Sequence, residues 1–228
     1  MKIEGLTLYT SKPKEVESFY TDLLGIDMLD SSQNSISLKM GETHLVFEQS
    51  EQSMYYHFAI NIPSLQIEDA QRWMKDKTKI LPFQGNEIVD FKSWNAKALY
   101  FYDPAGNIVE LIARKNLKIP SNLIFNAESF QHISEIGLPV KDVGFVFNQL
   151  KDECGLSKFS GDYERFCAIG WETGLFITID YNQKDWIPNE DKAYPFPFSC
   201  VIENEGKRYE ISYFHEKLTI TPTQNVSQ

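Results

Sequence analysis

An α+β fold of repeated strand–helix–strand–strand units is the class this sequence predicts, on three observations. The order of strand-like and helix-like segments begins again several times along the 228 residues. Leu6 to Gly25 and Ile136 to Gly155 have equal length and similar punctuation, the mark of an internal duplication. The stretch Tyr100-Phe101-Tyr102-Asp103-Pro104-Ala105-Gly106-Asn107-Ile108-Val109-Glu110-Leu111-Ile112 reads as a tight hairpin, its Asp-Pro and Ala-Gly making a turn between two runs of β formers.

The elements follow in order. Ile3 to Thr10 is a strand that leads through Ser11 and Pro13 into a helix whose Val16, Phe19, Tyr20, Leu23 and Leu24 stand at i, i+3, i+4, i+7 and i+8, one core-facing stripe. Pro13 near its start and Gly25 at its end are residues that begin and stop helices. Ser35 to Met40 and Thr43 to Gln49 are short strands joined at Gly41, which completes the first unit. In the second, Tyr55 to Ile62 is a strand, Gln66 to Lys75 a helix with Ile67, Ala70 and Met74 inward, and Ala98 to Ala113 the hairpin. On the returning strand Ile108, Glu110 and Ile112 share one face, so the acid lies among apolar neighbours, where an ionised carboxylate needs a partner such as a metal ion.

The third unit matches the first residue by residue: Leu138 to Leu8, Val146 to Val16, Leu150 to Tyr20 and Gly155 to Gly25. Asp142 caps its helix, and Phe166 to Trp171 and Gly174 to Asp180 are its strands. The fourth is a remnant, Phe198 to Glu203 and Lys207 to Tyr213 around a Glu205-Gly206 turn, with no helix between. Asn182 to Pro197, with Trp186, Pro188, Pro195 and Pro197, reads as an ordered crossing loop long enough to serve as a lid. The expected organisation is a complete unit over 1–114, a linker over 115–129, a degenerate unit over 130–216 and a polar tail over 217–228.

Composition narrows the function classes. No run approaches the roughly 18 apolar residues of a membrane span, and Met1-Lys2-Ile3-Glu4-Gly5-Leu6 reads as a strand rather than a signal peptide, so a cytoplasmic protein is expected. Cys154, Cys167 and Cys200, odd in number and widely spaced, read as buried thiols rather than disulfides or a zinc knot. A net charge of -10 without a Lys or Arg run argues against nucleic acid and anionic membranes. No Gly-rich phosphate loop and no nucleophile with a paired base is present.

The segments Phe19-Tyr20-Thr21-Asp22-Leu23-Leu24-Gly25 and Tyr56-His57-Phe58-Ala59, with the hairpin ending Asp-Pro-Ala-Gly-Asn-Ile-Val-Glu-Leu, resemble the vicinal oxygen chelate superfamily in order and spacing across residues 1–114. That superfamily includes glyoxalase I, bleomycin-resistance proteins, fosfomycin-resistance enzymes and extradiol dioxygenases. The resemblance implies paired βαβββ modules that form cupped mixed sheets with helices on the convex side. It also implies a divalent metal in the cup, with a substrate chelating it through neighbouring oxygens. On Tyr55 to Ile62, Phe58, Ile60 and Ile62 suit the helices, which leaves His57, Ala59 and Asn61 toward the cup. His57 and Glu110 fall at the family's His and terminal Glu ligand positions, and Gly5 stands where a first-strand His or Gln is usual. Glu48, on the strand ending the first unit, is the expected third ligand, or the general base if it does not ligate. Zinc, iron, manganese, nickel and cobalt all suit such a set, and a cup without metal, with His57 and Glu110 bonded to each other, is the alternative.

By the same comparison Glu135 falls where Gly5 does, Pro197 near His57 and Glu210 at Glu110, so the C-terminal half is expected to be structural or to close over the first site. His132, three residues from Glu135, is expected on the opposite face of the strand. Tyr9, Tyr100 and Tyr102 on the cup face and Trp94 before it are candidates to bind a planar substrate, or are plain packing. Lys92 and Lys97 are the only nearby basic residues, and without an Arg cluster a phosphonate such as fosfomycin is not expected. Two readings follow: a metal-dependent enzyme, either a lyase or isomerase of the glyoxalase type or a ring-cleaving dioxygenase, or a metal-free protein that sequesters a small molecule. The chain is expected as a homodimer, or as a monomer that pairs its modules internally.

Overall fold

The computed structural model describes residues 1–223, in which four modules follow one another. The first holds β1 (Lys2–Thr10), α1 (Pro13–Ser18, prolonged by a wider π turn over Phe19–Leu23), β2 (Met28–Ser31), β3 (Ser35–Met40) and β4 (Thr43–Gln49). The second holds β5 (His57–Ile62), α2 (Ile67–Lys75), β6 (Ile80–Leu81), β7 (Val89–Phe91), β8 (Ala96–Tyr102) and β9 (Ile108–Arg114). The third holds β10 (His132–Val140), α3 (Val143–Cys154), β11 (Lys158–Gly161), β12 (Phe166–Trp171) and β13 (Gly174–Asp180). The last holds β14 (Phe198–Asn204), β15 (Lys207–Phe214) and β16 (Lys217–Thr223) and lacks a helix. The strands β2, β6, β7 and β11, none longer than four residues, carried no readable alternation. In place of the expected polar tail, residues 217–223 form β16, which pairs along its length with β15; 224–228 lie outside the described residues.

In each of the first three modules the first strand runs parallel to the last, as a helical crossover requires. The opposite edge of that first strand then needs a partner from another module. The first module finds the fourth, through β1 and β14, and the second finds the third, through β5 and β10, both antiparallel. One sheet therefore runs β16-β15-β14-β1-β4-β3-β2 and the other β11-β12-β13-β10-β5-β9-β8-β6, with β7 on β8. Each sheet draws a module from both sides of residue 115.

A single core fills the space between the sheets, where Leu6 and Leu8 of β1 and Phe58, Ile60 and Ile62 of β5 meet Val16, Ile67, Met74 and Leu150 from the helices. Asp142 accepts the Phe145 N–H at 2.8 Å and caps α3, and all three cysteines are buried thiols. Ala59, Tyr100, Ile108, Ile112 and Ile177 belong to a second cluster on the concave face of the second sheet. No helix among the described residues is long and apolar enough to cross a membrane.

Candidate metal centre

The concave face of the second sheet is organised around Ala59, which lies opposite Glu110 of β9 on one side and Glu135 of β10 on the other. A methyl side chain between two acids lets their carboxylates lean toward each other, and His57, two residues before Ala59, completes the triangle on the same face. His57 Nε2 is 3.6 Å from Glu110 Oε2 and 3.9 Å from Glu135 Oε2, and the three ligand atoms lie within 4.8 Å of one another. All three side chains are buried. His57 Nδ1 donates to the Ile108 carbonyl at 3.1 Å, so in the neutral ring the lone pair on Nε2 faces the carboxylates.

Burial sets the charge states. It pulls His57 down to about 4, outweighing the raising effect of the Ile108 carbonyl, with Lys184 adding a smaller lowering push. Glu110 is held well above the carboxylate range by burial and by Glu135; Arg114 and a Tyr100 hydrogen bond oppose this. Glu135 is also raised by burial, against the pull of the Arg114 guanidinium, which it accepts directly. We favour Glu135 as the ionised partner because it has the contact ion pair. Arg114 is fully buried, its Nε donates to Asn61 Oδ1 at 3.2 Å, and Trp94 covers it at 5.4 Å.

His57 links the site to acid stability. With metal removed, the native state keeps this ring neutral while the unfolded chain protonates it near 6.5. Its contribution is therefore present above 6.5 and lost as pH falls toward about 4. The difference is worth about 3 kcal/mol. Urea unfolding of the chelator-treated protein between pH 7 and 4 is expected to show this loss, and His57→Gln to flatten it.

Glu135 reaches this position through a β-bulge. The pairing of β10 with β5 slips between Ile133 and Glu135, so His132 opposes Asn61 while Glu135 opposes Ala59. The bulge brings His132 onto the same face, contrary to strict alternation, and its Nε2 lies 3.0 Å from Asn61 Nδ2. The first sheet repeats the bulge, between Ile3 and Gly5, and the row Glu210–Val201–Gly5 copies Glu110–Ala59–Glu135. The counterpart of His57 is then Ser199 rather than Pro197, so of Gly5, Ser199 and Glu210 only the last matches a ligand of the second sheet, although His44, opposite Gly5, lines the same cavity.

The expected third ligand lies elsewhere. Glu48 is exposed on β4, opposite Tyr9 and Ser35, in the first sheet, and is not brought to His57 and Glu110 either as ligand or as base. Tyr9 is with it, its ring edge-on to Phe214 at 6.1 Å. Tyr100 and Trp94 do line the cavity of about 380 Å³ that opens on the triad. The Tyr102 hydroxyl is engaged by the crossing loop, donating to Asp191 at 2.5 Å and accepting from Asn189 at 3.0 Å.

That loop covers the site. Its Trp186 is buried with its ring 5.2 Å from His57, and the Trp186 backbone N–H donates to the Asp191 carbonyl at 2.8 Å. Gly137 makes room for it, since a Cβ there would lie 2.7 Å from the indole. Gly137→Ala is expected to destabilise by about 1–3 kcal/mol through overpacking, with Trp186→Leu in the same chain relieving most of it in urea unfolding. Of the residues around the triad, Arg114, Trp186, Arg165 and Lys184 had no signal in spacing. The last two line the cavity, against the expectation that only Lys92 and Lys97 were near.

No family model matches the chain. Among curated proteins it is 30% identical over 101 residues to a metallothiol transferase FosB of Staphylococcus epidermidis, covering 41% of this chain and 68% of that one. A metallothiol transferase FosB of Staphylococcus haemolyticus is 29% identical over 117 residues, covering 48% of this chain and 81% of the relative. Among solved structures, a candidate dioxygenase from Bacillus subtilis superposes with a TM-score of 0.66 at 12% identity, covering 99% of this chain and 86% of the other. Glyoxalase I from Zea mays gives 0.52 at 14% identity, covering 78% and 66%. The two superpositions concern the fold.

Proposed function

The chain belongs to the vicinal oxygen chelate superfamily, and from that premise we propose that His57, Glu110 and Glu135 hold one divalent metal ion that acts on a small molecule chelating it through neighbouring oxygens. One observation carries this reading: an imidazole lone pair and two carboxylates converge in a buried space where the imidazole is not a cation. Like acceptors so placed call for a cation between them. The donor set of one nitrogen and two carboxylates suits zinc, iron, manganese, nickel or cobalt, and three protein ligands leave positions for water and substrate.

When bound, the ion supplies Lewis-acid polarisation of a carbonyl, enolate or catecholate oxygen. The chain's own residues do the rest. The Ile108 carbonyl fixes the tautomer of His57, and Arg114 orients Glu135, as partners behind metal ligands do. Tyr100 keeps its proton, because burial and the two carboxylates raise it well above the usual phenol range, and so serves as a donor beside Glu110. Trp186 excludes water over His57. Both the lyase or isomerase and the ring-cleaving dioxygenase chemistries use charge stabilisation of this kind.

A second reading, capture of a small molecule without an ion, has one observation in its favour. Arg114 already neutralises Glu135, and the raised Glu110 can keep its proton, so the triad is electrically satisfied without metal. Elemental analysis of protein purified without a chelating tag, before and after reconstitution with each of the five ions, separates the two. A stoichiometric ion is expected; no ion retained under any condition would leave the second reading standing.

A further inference from the structure

The mouth of the metal cavity carries two cations that the proposed chemistry at the triad does not use. Arg165 and Lys184 line the same cavity as His57, Glu110 and Glu135. They come from turns at one end of the β12–β13 pair, and the Asp180 N–H donates to the Arg165 carbonyl at 3.0 Å, so the turns lie side by side. Among the described residues neither cation forms an ion pair within 4.0 Å, although acids stand close by in sequence.

Asp162, Asp180 and Asp185 each have other bonds, and Asp162, which lines this cavity too, also feels the Arg165 charge. Asp162 Oδ1 accepts the N–H groups of Glu164, Arg165 and Phe166 at 2.9, 2.7 and 3.3 Å, which fixes the turn that carries Arg165. Asp180 accepts from the Asn182 backbone at 2.9 Å, from the Asn182 side chain at 3.0 Å and from Gln183, fixing the turn that leads to Lys184. Asp185 is held by Lys192 at 2.9 Å. Lys184 is half-buried, its ammonium 5.9 Å from the Phe166 ring, and burial and then Arg165 lower its pKa. Two like charges, exposed Arg165 and half-buried Lys184, are therefore carried side by side on fixed turns at the cavity mouth in a protein whose net charge is -10.

We propose that Arg165 and Lys184 form an oxyanion clamp, so that the substrate is a small molecule with chelating oxygens at one end and a carboxylate or phosphonate at the other. This rests on the reading of His57, Glu110 and Glu135 as a metal site. The span fits one ligand: Lys184 is close enough for its charge to be felt at His57, and a cavity of about 380 Å³ lies at the small end of ligand pockets. Trp94, Phe91 and Trp186 along the walls suit a flat apolar middle. A guanidinium beside an ammonium recognises an oxyanion through charge-assisted hydrogen bonds, and the surrounding negative charge confines that recognition to the mouth.

The test is calorimetric titration of the zinc-loaded protein with catechol, 3-(3,4-dihydroxyphenyl)propionate and 3,4-dihydroxyphenylphosphonate. The three share one chelating head. At least one of the acidic probes is expected to bind about tenfold or more tighter than catechol, with the advantage shrinking as salt is raised. In the double variant R165Q/K184Q the advantage is expected to fall to near onefold while catechol binding is unchanged. Equal affinity for all three probes, or an advantage that survives the double variant, would overturn the clamp. The chelator-treated protein titrated with 3-phenylpropionate and phenylphosphonate gives the independent arm. Binding of either that is lost in R165Q/K184Q supports the clamp even if catechol fails to bind the zinc-loaded protein, which would count against the metal reading alone.

Discussion

Glu135→Gln removes the stabilisation that zinc or manganese confers, while Glu48→Gln leaves it intact. An ion at about 100 times its Kd stabilises the folded state by about 2.7 kcal/mol, roughly 5–10 °C in Tm for a chain of this size. Scanning calorimetry with saturating ion is expected to show that rise in the native protein and lose it in His57→Ala, Glu110→Gln and Glu135→Gln alike. The amide keeps the volume and one oxygen but not the charge that ligation needs. Glu210→Gln should behave as Glu48→Gln does, since its row holds Gly5 and Ser199 in place of Glu135 and His57. The opposite pattern, with Glu48 required and Glu135 dispensable, would refute the assignment.

Arg114→Met is the second large effect. Arg114 is fully buried, and its guanidinium is the contact partner of Glu135. Removing one member of a buried pair costs about 3–5 kcal/mol, because the remaining charge has neither water nor partner. Urea unfolding of the metal-free protein at pH 7 is expected to show that loss. The double variant Arg114→Met/Glu135→Gln should recover much of it, a coupling that separates the charge effect from lost packing against Trp94. Saturating metal should also narrow the gap in the single variant, since the ion takes over as counter-charge. A loss below about 1 kcal/mol would mean that Glu135 is not held as an anion by Arg114.

Much of the fold was legible locally. The strands Ser35–Met40, Thr43–Gln49, Phe166–Trp171 and Gly174–Asp180 have the bounds their alternation gave. The apolar 3–4 spacing marked α2 and α3, and Asp103-Pro104-Ala105-Gly106 marked the hairpin. The hairpin turn is held as its residues suggest, with Asp103 Oδ1 accepting from Ala105 and Asn107 at 3.0 Å each. At the site, His57 and Glu110 faced the cup as period-two alternation requires, and both stand in the cluster.

The third member was misplaced for a physical reason. A strand's own sequence states which residues share a face, but not which strand lies along its edge, because backbone hydrogen bonding across that edge is nearly independent of side chains. Glu48 shares a module with Gly5, and that module lies in the other sheet from His57. The cup is instead completed by β10, whose Glu135 stands in the C-terminal half and meets His57 only through that pairing. The bulge beside it, at Ile133 to Glu135, likewise broke the alternation used to send His132 to the opposite face.

The sequence alone determined the modules, their helices and most of the inward faces, since these follow from local periodicity and turn chemistry; Leu23, assigned to the inward stripe by its spacing, is exposed because the helix widens into a π turn there. It also determined that a histidine and a glutamate share the concave face of the second module. The tertiary structure decided that the second module pairs with the third, which brings Glu135 and Arg114 to His57, lays Trp186 across them, and sets Arg165 and Lys184 at the mouth. Those choices depend on how open strand edges satisfy their hydrogen bonds and how a loop packs against a glycine, which are properties of the assembled chain and not of any one segment.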